Sequence, residues 1–184
     1  MKSNVILWAL IICNLCAQAQ IASSATDVSP IMNGEIIPPT ELVGLDSEPI
    51  SISALLEEKP SLLIFYRGGW CPYCNRQLSG IQDVESELLA MGIQIIAISP
   101  DQVENLSVTA EKNGLTYRLL SDGNGEFIQK MGLAFKDHKD RILPVPAVYL
   151  VDKNGMVLFN YVNPVYKVRP DAQLILRAAE LLIN

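Results

Sequence analysis

The chain has 184 residues, of which 49% are hydrophobic and 18% charged. That length supports one domain with a substantial core and excludes two ordinary ones, and the composition excludes a disordered chain. A formal net charge of −6, with its 14 Lys and Arg residues scattered along the sequence, excludes a basic face for nucleic acid.

The N-terminus reads as a secretory signal. Lys2 precedes an apolar run from Val5 to Cys16, broken only by Asn14, and Ala17-Gln18-Ala19 forms a small-x-small cleavage site. The run is too short to be a stable membrane span. The expectation is an exported product, periplasmic or otherwise extracytoplasmic, that begins at Gln20. Residues 1–19 are then the signal, 20–40 a flexible lead-in with Pro30, Pro38 and Pro39, and 41–184 the folded domain.

Beyond the lead-in, Glu41 to Leu56 reads as short extended pieces, a turn and a brief helix. Ser61 to Tyr66 is a continuous apolar run, as in a central strand covered on both faces. Arg67-Gly68-Gly69 ends it. One helix is predicted from about Pro72 to Ala90, with Leu78, Ile81, Val84, Leu88 and Met91 at helical spacing and Gly92 as its stop. Ile93 to Ser99 is the next buried strand, Val103 to Asn113 a second helix stopped by Gly114, and Leu119-Leu120 a short extended piece. Glu126 to Met131 is a short helix, followed by a polar loop. Ala147 to Val151 and Met156 to Val162 form a hairpin across Asp152-Lys153-Asn154-Gly155. A last helix runs from Pro170 to about Leu182, with Leu174, Ala178 and Leu181 inward. This alternation predicts an α/β domain whose central mixed β-sheet carries helices on both faces.

Of the four cysteines, Cys13 and Cys16 lie in the signal, so the mature chain keeps Cys71 and Cys74. A disulfide at that spacing closes a very small loop and restricts the unfolded chain little, which makes stability a poor reason for the pair. Half of a zinc site is the other plain reading, but zinc needs about four ligands and the mature chain adds only His138, in a charged loop. Trp70-Cys71-Pro72-Tyr73-Cys74 falls where a buried strand turns into a helix. Free N–H groups and the positive helix end favour a thiolate there. A cysteine so placed falls from about 8.5 into the range of ~3.5–7.5, and a partner one turn on can resolve its adducts. Pro72 suits the first helical turn, and Trp70 packs beside the pair. Pro144-Val145-Pro146 precedes the late strand, where thioredoxin folds place a cis proline, here Pro146.

The stretch Tyr66 to Asn75, Tyr-Arg-Gly-Gly-Trp-Cys-Pro-Tyr-Cys-Asn, resembles the peroxiredoxin-like branch of the alkyl hydroperoxide reductase/thiol-specific antioxidant family. Leu119 to Asp122, Val145 to Asp152 and Asn163 to Arg169 are similar to further stretches of that branch, so the resemblance covers roughly Glu41 to Ile183. It implies a thioredoxin-like fold and a thiol-dependent antioxidant oxidoreductase with no cofactor beyond the Cys71/Cys74 dithiol and no metal. The family's threonine is replaced by Cys71 and its proline by Arg67. Its activating arginine, expected near Val145, is absent. The leading expectation is that Cys74 attacks a hydroperoxide, Cys71 resolves it, Arg67 holds the thiolate or substrate, and a thioredoxin-type reductant recharges the pair. In the alternative, Cys71 attacks a protein disulfide while Val145 and Pro146 present backbone to the substrate strand. A copper carrier using both cysteines and His138 is the reading of another class.

Overall fold

In a computed structural model that describes residues 20–183, nine strands and six helices alternate. They are β1 Glu41–Val43, β2 Pro49–Ser51, α1 Ile52–Glu58, β3 Ser61–Phe65, α2 Pro72–Gln82, α3 Glu85–Ala90, β4 Gln94–Ser99 and α4 Val103–Asn113. After these come β5 Arg118–Ser121, α5 Glu126–Lys130, β6 Ala134–Lys136, β7 Ile142–Pro144, β8 Ala147–Val151, β9 Val157–Val162 and α6 Ala172–Leu182. The expected signal, residues 1–19, lies outside the described residues, and none of the described helices is long and apolar enough to cross a membrane.

Seven strands form one mixed sheet in the order β2-β1-β5-β4-β3-β8-β9. The centre is parallel, with Phe65 opposite Ile98 across β3 and β4. The hairpin side is antiparallel, with Phe65 opposite Ala147 across β3 and β8. All five residues of β3 and all five of β8 are buried, as continuous apolar runs between two helical layers should be. Leu62, Ile64 and Tyr66 point to one face and meet Leu78 and Ile81 of α2, Leu88 of α3, Leu106 of α4 and Ile175 of α6. Leu63 and Phe65 point to the other and meet Ile52 and Leu56 of α1 and Phe127 of α5. The period of two along β3 therefore divides the core into two clusters.

Four local expectations are corrected. The single helix expected from Pro72 to Ala90 is two, α2 and α3. At the break the Val84 N–H bonds the Ile81 carbonyl at 3.2 Å, and Gln82 is held by Thr116, whose N–H it accepts at 2.9 Å. Ile81, Val84 and Leu88 stay buried across the break, so apolar spacing did not betray it. In α6 the inward residues are Ile175, Leu176 and Ala179, while Leu174 and Leu181 are exposed. The polar loop after α5 holds a second hairpin, β6 with β7, closed around Asp137 and Arg141. The stretch read as a flexible lead-in is tied down: the Ala22 N–H donates to Ala134, Ile31 to Met131 and Ile37 to Gly155, at 2.8–3.1 Å.

Candidate active site

The end of β3 aims the chain at the site. The Tyr66 N–H bonds the Ile98 carbonyl at 3.0 Å, the last bond to β4 before the turn Arg67–Trp70. Gly68 sits at φ +140, where side-chain-bearing residues are strained, and a Cβ there would press on Trp70 and lie 2.7 Å from Asp101 Oδ1. The Gly69 N–H donates to Asp101 Oδ2 at 2.7 Å, and the Asn75 amide donates to the Gly69 carbonyl at 2.9 Å. Burial raises the Asp101 pKa above the usual carboxylate value. The turn is thus clamped from β4 and from α2.

Cys71 is the N-cap of α2 and Pro72 follows at its first position, as expected. Cys74 lies one turn in, its N–H bonded to the Cys71 carbonyl at 3.1 Å. The two sulfurs are free thiols in this state. Both residues are buried, Cys71 at 1% exposure and Cys74 at 0%, so neither sulfur is open to solvent and Cys74 is the deeper. The Cys74 thiol hydrogen bonds to the Cys71 sulfur and is the main reason the Cys71 pKa falls to about 5. The Cys74 and Tyr73 amides and the Arg169 charge lower it further, against the desolvation of burial. The same hydrogen bond, together with burial, pushes the Cys74 thiol up. The two shifts share one cause and have opposite signs: the thiolate is favoured on Cys71 and the proton on Cys74.

One residue of the site escaped sequence reasoning. Arg169, in the loop before α6, donates through Nη2 to Cys74 Sγ at 3.3 Å and through Nη1 to Gln77 Oε1 at 2.9 Å, while its Nε donates to the Tyr166 carbonyl. An arginine is thus brought to the dithiol, on Cys74, from an element other than the one near Val145. The only signal was its place in the Asn163–Arg169 stretch that resembles the family's tail.

The other expected site residues gather here with altered roles. The Arg67 guanidinium lies against Trp70 and Tyr166, 5.0 and 4.4 Å from the ring centroids, rather than on either sulfur. Trp70 is half exposed and carries Arg141 at 4.5 Å, so it is not plain core packing. Tyr73 meets Tyr166 edge-on at 5.7 Å and Arg76 at the same distance. Cations scattered in sequence, Arg67, Arg76, Arg141 and Lys167, are brought onto the rings of Trp70, Tyr73 and Tyr166, and Arg169 onto Cys74. Pro146 is not cis: all peptide bonds among the described residues are trans. The Val145 N–H donates to Leu133 at 2.9 Å, and the Pro146 carbonyl accepts from Asn163 at 3.2 Å. His138 projects into solvent, 77% exposed at its side chain, and among the described residues no three His, Cys, Asp or Glu side chains cluster to hold a metal.

A strand–helix turn that presents a buried dithiol, one sulfur ionised and the other its proton donor, defines a thiol-dependent oxidoreductase on a thioredoxin-type fold. Comparison with known proteins places it more narrowly. The AhpC/TSA family profile matches residues 33–159, and the chain belongs to that family. Its curated relatives include a chloroplastic peroxiredoxin Q from Sedum lineare, 29% identical over 133 residues that cover 72% of this chain and 70% of the relative. Peroxiredoxin Bcp from Escherichia coli K12 is 31% identical over 106 residues, 58% of this chain and 67% of the relative. The fold matches that of reduced Prx3 from Vibrio vulnificus, solved in complex with H2O2, at a TM-score of 0.76 and 21% identity over 81% of this chain and 99% of that one. The chain is accordingly a thiol-dependent oxidoreductase of the peroxiredoxin branch.

Proposed function

We propose that this enzyme reduces hydroperoxides outside the cytoplasm, with Cys71 as the attacking thiolate and Cys74 as the resolving thiol. This keeps the substrate expected from the resemblance and reverses the roles of the two cysteines. The observation that carries it is the place of Cys71 at the N-cap of α2, where the helix end favours a thiolate, with the Cys74 thiol as a neighbouring donor that lowers its pKa. The thiolate is the nucleophile in such chemistry.

The Cys71 thiolate attacks the distal oxygen of the hydroperoxide. The O–O bond breaks, Cys71 becomes a sulfenic acid, and the alkoxide leaves with the Cys74 proton as an alcohol. Cys74, now an anion beside the Arg169 guanidinium, attacks the Cys71 sulfur. The disulfide forms, and hydroxide departs to take a solvent proton. A thioredoxin-type dithiol then returns two electrons and two protons. Arg169 has a defined task in this sequence: it favours the charged form of Cys74 once the Cys71 acceptor has been consumed.

Two observations weigh against a protein disulfide as substrate. Both sulfurs are buried, which suits a small peroxide better than a folded protein. The backbone at Val145 and Pro146, which would have to receive a substrate strand, is already bonded within the chain. Export rests on Lys2, the Val5–Cys16 run and the Ala17-Gln18-Ala19 site.

The test is hydroperoxide consumption by the mature enzyme with a thioredoxin-type reductant. Turnover well above that of dithiothreitol without enzyme is expected; turnover no faster than that reagent rejects the peroxidase. N-terminal sequencing of the exported product, with Gln20 first, checks the compartment.

A further inference from the structure

Arg67 is only 9% exposed, its Nε has no hydrogen-bond partner, and no carboxylate pairs with it among the described residues. Burying a cation without a counter-charge is unfavourable, and the two rings against it offset only part of that. A ring interacts with the face of a guanidinium and leaves the in-plane N–H groups available, and that planar fork fits a carboxylate.

Arg67 also lines a cavity of about 240 Å³. Phe135, Pro146, Pro164 and Tyr166 give it an apolar wall and Lys136 adds a second cation. The one carboxylate in the lining, Asp137, is already held by Arg141 at 2.7 and 3.0 Å and does not neutralise Arg67. The cavity is smaller than those that take drug-sized ligands, roughly 300 Å³ and above, so it suits an acid on a short apolar stem. Arg67 is four residues before Cys71 in the same clamped turn, and Tyr166 of the cavity wall meets Tyr73 of α2 and accepts from Arg169, so the cavity adjoins the elements that carry the dithiol.

We propose that this cavity binds the carboxylate end of a small organic hydroperoxide, with Arg67 as its principal ligand and Lys136 assisting. The inference rests on the peroxidase reading for the identity of the ligand, while the site itself stands on the unpaired buried cation. On a chain of net charge −6, bulk electrostatics repel an anion, so acceptance of a carboxylate has to come from these local cations.

The test uses phenylacetate and its neutral counterpart phenylacetamide on the reduced mature enzyme, with no peroxide present. Trp70, the only tryptophan after residue 19, lies against Arg67 and reports binding by fluorescence. Phenylacetate is expected to give a saturable change, with phenylacetamide at least about tenfold weaker, and Arg67→Gln is expected to lose phenylacetate by about tenfold or more. Lys136→Gln, at an exposed position, is expected to weaken phenylacetate by roughly threefold with the fold intact, which keeps the test decisive should Arg67→Gln not fold. Equal binding of the two probes, no binding of either, or phenylacetate binding unchanged in both variants overturns the site. Probe binding by an enzyme that consumes no hydroperoxide would keep the site and reject the peroxidase; turnover without probe binding would do the reverse.

Discussion

Arg169 reaches back 95 residues to place its Nη2 3.3 Å from the sulfur of Cys74, the deeper of the two cysteines. It does not touch the sulfur that carries the charge. Its position is explained by the second half of the cycle, when Cys74 has given up its proton and must become a nucleophile in a buried place.

Replacement of Arg169 by Met should therefore separate the two half-reactions. The rate of Cys71 oxidation is expected to change little, because the Arg169 charge is the smallest of the influences lowering the Cys71 pKa. Disulfide formation is expected to slow by about tenfold or more, the loss of roughly one charge-assisted hydrogen bond. The sulfenic acid then persists, and sulfinic acid on Cys71 should accumulate at high peroxide, as read by mass spectrometry.

The pH dependence of Cys71 follows from its depressed pKa. A thiol held near 5 is ionised above that value, so its alkylation rate should be flat from about pH 7 to 6 and half-maximal near pH 5. Cys74→Ala removes the hydrogen bond that is the largest cause of the depression. In that variant the midpoint should move up toward the ordinary thiol range, and a rate measured at pH 6 should drop. A midpoint unchanged by the substitution would show that the helix end, rather than Cys74, ionises Cys71.

Asp122 gives a stability prediction of opposite sign to the usual carboxylate. Burial raises its pKa to about 6, although its oxygens accept the N–H groups of Phe127 and Ile128 at the start of α5. The folded-state value lies above the unfolded one near 3.8. Its proton-linked contribution is complete below pH 4 and is lost as pH rises through 6. Asp122→Asn should abolish this slope. The difference between variant and parent in urea midpoints at pH 4.5 and 7.5 is expected to reflect on the order of 2 kcal/mol.

Gly68→Ala tests the clamped turn. The substitution forces a Cβ against Trp70 and Asp101 at a positive φ, with an expected loss of about 1–3 kcal/mol in denaturant unfolding. Because the same turn delivers Cys71 to the helix end, its alkylation rate at pH 6 should fall as well. A stable variant with an unchanged rate would mean that the turn relaxes without moving the sulfur.

The buried strands were the most legible part of the fold. β3, β4 and β8 are continuous apolar runs bounded by polar or turn residues, and their assignment needed only pattern and length. The inward face of α6 was not legible for the same reason that makes it amphipathic. Leu174, Ile175 and Leu176 are contiguous, so two overlapping stripes fit the helical period, and only packing against α2 and α3 selects Ile175 and Ala179. The β6–β7 hairpin was hidden because its strands are three residues long and its turn is charged. At the site, Cys71 and Cys74 announced themselves by spacing and by their place after a strand. Arg169 did not, since a loop arginine has no periodicity and its partner is almost a hundred residues away. The partners of Val145 and Pro146, Leu133 and Asn163, are likewise residues that the local sequence does not name.

The account depends on which sulfur is oxidised first. Stoichiometric peroxide with a sulfenic-acid trap, added to Cys74→Ala and to Cys71→Ala at pH 7 and read by peptide mass spectrometry, decides it. The expected result is trapping on Cys71 in the first variant, slowed by the loss of the Cys74 hydrogen bond but well ahead of any trapping on Cys74 in the second. Rapid trapping on Cys74 with Cys71 inert would contradict the assignment and return the attacking role to the deeper cysteine.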